Sequence, residues 1–176
     1  MTKHATLLWV DLEMTGLEPS RDRILEVAAI ATDWNFTEYG TYEAIIHQPD
    51  SVLDTMEEFS HNQHGSTGLT EACRVSTISE TDAETALLKF LDEHFKKGTR
   101  VILSGNSIHQ DRRFTRKYWP LFDARLHYRM LDVSAWKIVF EGKYRQHFTK
   151  PEKHRALDDI RGSIEEMQHY MSKVKS

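Results

Sequence analysis

The sequence predicts one α/β domain, a mixed five-stranded sheet flanked by helices. Three observations carry this. Strand-like and helix-like segments follow in the order βββ, α, β, α, β, α. No linker, repeat or low-complexity tract divides residues 1–176 into separate domains. The chain's 176 residues, 39% hydrophobic and 28% charged, suit a single soluble core.

Three strands are expected first, at residues 6–13, 24–32 and 39–46. The short links holding Gly16, Pro19 and Gly40 make them a hairpin meander. A polar region follows, with a short helix at 52–59 and a loop-like stretch at 61–68. Thr81-x-x-Glu84 then reads as a capping box. Behind it Ala83, Ala86, Leu87, Phe90, Leu91 and Phe95 form one apolar helical stripe, stopped by Gly98. Residues 101–103 are a short buried strand, and 104–107 turn into a helix carrying Asp111, Phe114 and Tyr118 that Pro120 ends. A strand at 130–133 and a helix at 134–140 come next. Leu157, Ile160, Ile164, Met167 and Met171 mark the core face of a last helix.

Composition narrows the function classes. No apolar stretch is long enough to span a membrane, and the first strand follows Met1 too closely for a leader peptide. Cys73 is alone, which excludes a disulfide framework or a cysteine metal site and points to a reducing cytoplasm. The net charge of −4 argues against a grip on long nucleic acid. Its distribution is uneven: residues 1–111 hold 8 Lys+Arg against 19 Asp+Glu, and residues 112–155 hold 12 against 4. Such a pairing fits metals on one side and a short phosphate-bearing ligand on the other, or simply a basic solvated face.

The chemistry begins with Asp11 and Glu13, which close the apolar run Leu7-Leu8-Trp9-Val10. Residues two apart on a strand point the same way, so both carboxylates leave one face together. Like charges that close call for a cation, and hard divalent ions take oxygen ligands. Asp111 follows a buried strand, and Asp159 opens the last helix five residues after His154. Each of these, singly, also reads as a solvated or helix-capping residue. Together they give the four carboxylates that two ions roughly 3.5–4 Å apart require for phosphodiester hydrolysis. Imidazole titrates near neutral pH, so His154 can take a proton from the attacking water.

Asp11-x-Glu13, Asp111 and His154-x-Ala156-x-x-Asp159 resemble the three motifs of the DEDDh 3′–5′ exonucleases, whose fold is ribonuclease-H-like. The stretches 9–17, 105–114, 127–134 and 154–160 are similar to the oligoribonucleases among them. The resemblance implies a homodimeric enzyme, dependent on two Mg²⁺ or Mn²⁺ ions, that degrades RNA of two to five residues. It implies that Leu17 wedges against the bases and Ser107 holds a 5′ phosphate. It also implies that Tyr128, Arg129 and Ser134 reach over from the partner subunit. Phe59 stands where the family usually has Trp and can still stack on a base. His64 either contacts the 3′ end or is solvated. His109 occupies a position where a small residue is expected. Two alternatives stay open: an exonuclease acting on longer DNA or RNA 3′ ends, and a non-catalytic nucleotide-binding adaptor.

Overall fold

The computed structural model describes residues 4–149 and 154–174; the three residues expected to precede the first strand directly, and 150–153 of the basic block, lie outside them. Five strands form one mixed sheet in the order β3-β2-β1-β4-β5. They are β1 (Leu7–Met14), β2 (Ile24–Thr32), β3 (Glu38–Ile45), β4 (Val101–Gly105) and β5 (Leu126–Asp132). β1, β2 and β3 make the antiparallel meander, and β4 and β5 extend it in parallel from β1. The helices are α1 (Asp50–Leu53), α2 (Glu58–Ser66), α3 (Leu69–Val75), α4 (Glu80–His94), α5 (His109–Tyr118), α6 (Pro120–Asp123), α7 (Val133–Tyr144) and α8 (Ala156–Lys173).

β1 lies at the centre and is covered on both sides, which explains its unbroken apolar start. Leu8, Val10 and Leu12 pack with Val27 and Ala29 beneath Ala83, Leu87 and Phe90 of α4 and Phe114 of α5. Leu7 and Trp9 pack with Ala28 and Ile30 beneath Val133 and Phe140 of α7 and Ile160, Ile164 and Met167 of α8. Asp11 and Glu13 continue this second series, so the alternation aims both toward α8.

Several boundaries move. The stretch 61–68 is not a loop: most of it belongs to α2, and α3 follows. α2 buries only His64, so no apolar stripe marks it. The capping box of α4 sits two residues earlier, with Ser79 Oγ accepting from Asp82 N–H at 3.1 Å and Asp82 Oδ2 from Ser79 N–H at 3.0 Å. Glu84 instead caps α6, accepting from Leu121 N–H (2.8 Å) and Phe122 N–H (3.1 Å). α4 ends at His94, ahead of Gly98, because Phe95 turns extended and drops into the core. Pro120 both ends α5 and starts α6, its missing N–H being harmless in a first turn. β5 begins four residues before the expected strand and α7 runs on to Tyr144. At the end of α8 Tyr170 is buried, while Met171 is exposed.

Ser79→Ala should lower stability by about 1 kcal/mol, a fall of roughly 2–4 °C in Tm for a chain of this size. Thr81→Ala should stay within about 0.5 kcal/mol of the parent. Calorimetry of both variants checks where the cap lies.

Candidate active site

Asp11 and Glu13 leave the α8 side of β1, and Asp159 meets them from the first turn of α8. Each offers a carboxylate oxygen within 4.8 Å of the other two. Ala156 is fully buried and brings the start of α8 close to the sheet. The three acids line a cavity of about 730 Å³, shared with Asn106, Lys137, His154 and Glu166. His154 joins it from a left-handed backbone conformation, φ 53°.

Asp111 stands back from this trio. It is buried, and its Oδ1 accepts from Leu12 N–H at 3.0 Å, tying α5 to β1. Burial first, then the Asp11 charge, push its carboxyl well above the usual range. Glu13 is driven in the same direction, up to about 8, by burial, then by Asp11, Asp159 and Glu26. Every donor here is a hard oxygen, and the crowding is of a kind that a divalent cation relieves. The residues therefore fit such an ion.

One neighbour was missed in the sequence. Glu26 of β2 is the register partner of Glu13 and only 1% exposed. It accepts from Arg155 Nη2 at 2.7 Å, from Arg155 Nε at 3.1 Å and from Ala156 N–H at 3.3 Å. The only sequence signal was a lone acid inside an apolar strand.

Leu17, Phe59 and His64 line a second cavity, about 430 Å³, beside Glu13. Leu17 is 65% and Phe59 77% exposed, so Phe59 is no core residue. The Leu17 turn is fixed from both sides. A side chain at Gly16 would meet the Asp22 carboxylate at 2.5 Å, the same group that accepts from Glu18 N–H at 2.8 Å. Arg113 Nη1 donates to Leu17 O at 3.2 Å. His64 is buried rather than solvated, its Nε2 against Met14 O at 2.9 Å and its Nδ1 3.9 Å from Glu13 Oε2. Burial lowers its pKa.

Ser107, at φ 48°, and Ser134 meet within the chain. Ser134 Oγ accepts from Ser107 N–H at 2.9 Å, and the two hydroxyls are 3.1 Å apart. Ser134 is expected to act across a subunit boundary; within this chain its hydroxyl lies against Ser107. Asp132 Oδ1 accepts from both backbone N–H groups, and His109 Nδ1 lies 3.6 Å from Asp132 Oδ2. Tyr128 and Arg129 lie elsewhere, exposed on edge strand β5, with the guanidinium 5.1 Å from the Tyr128 ring centre.

Glu13 keeps its proton to about pH 8 in the fold, against 4.5 when unperturbed. Its contribution to stability is thus complete below 4.5 and lost as pH rises through 8. The Tm of metal-free protein should fall across that window, and Glu13→Gln should flatten the fall. A divalent ion at about a hundred times its Kd should restore about 2.7 kcal/mol. Thermal melts against pH, with and without Mn²⁺, check all three.

The chain matches the RNase T exonuclease family over residues 8–167. The oligoribonuclease of Marinobacter nauticus is 47% identical, the match covering 97% of this chain and 96% of the relative. That of Aromatoleum aromaticum is 46% identical over 93% and 91%. Among solved structures, zinc-bound E. coli exonuclease I with ssDNA superimposes with a TM-score of 0.76 over 97% of this chain, at 16% identity. Exonuclease I from Methylocaldum szegediense gives 0.74 over 96%, at 17%. The chain spans 41% of each of those two proteins, with which it shares the ribonuclease-H-like fold. Matched over more than nine-tenths of both chains by relatives at nearly half identity, this chain belongs to the oligoribonuclease family of exonucleases.

Proposed function

We propose that this chain is a 3′–5′ exoribonuclease that takes RNA of two to five residues, dinucleotides above all, to 5′-mononucleotides. In this reading it works in the cytoplasm as a homodimer and uses two Mg²⁺ or Mn²⁺ ions. The observation that carries the chemistry is the meeting of Asp11, Glu13 and Asp159 in the cavity that His154 also lines.

Asp11, Glu13 and Asp159, with Asp111 behind them, would hold the ions. Bound there, the ions supply Lewis-acid charge at the scissile phosphate and the leaving 3′-oxygen. His154 takes the proton of the attacking water. Leu17 and Phe59, both exposed and lining the second cavity, grip the bases, and His64 lies buried next to Glu13. Ser134 Oγ accepts from Ser107 N–H, and the two hydroxyls share one hydrogen bond, so one hydroxyl proton of the pair is left for a 5′-phosphate oxygen.

Two features support the dimer. Val139 and Tyr144 of α7 are exposed and line an apolar cavity with Val174, and Ile138 of the same helix is 72% exposed. Such a patch suits a partner better than water. Tyr128 and Arg129 project from a sheet edge, where a second subunit would place them over its partner's substrate.

Turnover of a 5′-phosphorylated diribonucleotide should be fast, abolished by EDTA, and far above that of a twenty-residue RNA. Equal trimming of the long strand would favour an open channel, as in a general exonuclease. His154→Ala should lower kcat by about 10²–10⁴-fold, and an unchanged rate would remove it as the base. Ile138→Glu should give monomers by light scattering and lose dinucleotide turnover.

A further inference from the structure

We infer that Glu26 is a positioning residue: its buried carboxylate ties the segment carrying His154 and Asp159 to the metal-binding end of β1, and so sets ion affinity and turnover. The inference rests on the two-ion reading of Asp11, Glu13 and Asp159.

Glu26 is out of place for a packing residue. Its β2 neighbours Ile24, Leu25, Val27, Ala28, Ala29 and Ile30 are all buried and apolar. A carboxylate at that point is taken out of water and set opposite a second acid, Glu13. Packing alone would be better served by another aliphatic side chain.

What the carboxylate holds is specific. Arg155 engages it through Nε and Nη2, and Ala156 N–H adds a third donor. Arg155 is the N-cap of α8, yet its side chain makes no cap bond; Glu26 of β2, on the sheet face that α8 covers, satisfies one of the orphan N–H groups. His154 immediately precedes this clamp. Asp159 follows Arg155 by four residues, about 6 Å along the helix at 1.5 Å per residue. One buried acid therefore fixes the proton acceptor on one side and a cation ligand on the other, both relative to Asp11 and Glu13.

A purely structural clamp and a positioning clamp make different predictions, because a buried ion pair contributes little net stability over a well-packed apolar pair. The test compares the full-length protein, Glu26→Gln, and the double variant Glu26→Leu with Arg155→Met. Mn²⁺ binding is followed by the EPR signal of free Mn²⁺, kcat and KM on a diribonucleotide, and folding by thermal melts. Glu26→Gln should weaken Mn²⁺ binding and lower kcat by about tenfold or more, as loss of a group that orients a ligand does, with KM moving much less. The double variant should regain Tm without regaining Mn²⁺ affinity or kcat. If folded Glu26→Gln binds Mn²⁺ and turns over like the parent, or if the double variant recovers all three together, the inference is overturned. Should the double variant not fold, Glu26→Gln decides alone; should Glu26→Gln not fold, the double variant decides. A parent protein that binds no Mn²⁺ would instead sink the two-ion reading, and the clamp would then stand or fall on kcat.

Discussion

The two-residue period of a β-strand, applied to β1, decides where the working parts of this protein lie. Leu7 and Trp9 anchor one face of the strand beneath α7 and α8, and the same parity delivers Asp11 and Glu13 to that face where the apolar run ends. A slip of one residue would turn both acids into the α4 and α5 layer. The paired strand β2 follows the same parity and sets Glu26 beside Glu13. α8 can complete the group only because its first residue, Ala156, is small enough to be wholly buried there. The core and the site are thus two ends of one alternation.

That concentration of negative charge shapes what surrounds it. Glu13 and Asp111 are both pushed toward the protonated form, chiefly by burial and next by Asp11. Arg155 is committed to Glu26 and cannot neutralise the trio fully. A cation is the remaining way to let all the carboxylates ionise together. Two arginines of α5 instead fix a loop and an edge strand. Arg113 holds the Leu17 turn, and Arg112 Nη1 donates to His127 O at 2.7 Å to hold the start of β5.

The strands, α4, α5 and α8 were legible because their burial is written as spacing. The four acids and His154 were legible because their order matches a family pattern. α2 and α3 were hidden: the first buries nothing but His64, and the second only Leu69 and Cys73, too little for a stripe. The capping residues were misplaced because Thr81-x-x-Glu84 and Ser79-x-x-Asp82 overlap, and Glu84 was needed by α6. The Glu26–Arg155 and Ser107–Ser134 contacts could not be read as pairs. Both join segments 27 or more residues apart, and neither leaves a periodic trace.

Ser107 and His154 share a property that composition never displays: both hold a left-handed backbone. For a residue with a side chain this costs roughly 1–2 kcal/mol, and glycine would escape most of it. The more stable sequence at each point is therefore the one lacking the hydroxyl or the imidazole. Under the roles proposed for them, heat tolerance and turnover pull in opposite directions at these two positions. A laboratory lineage selected for thermal robustness alone would be drawn toward glycine there, giving up the two side chains to which those roles belong.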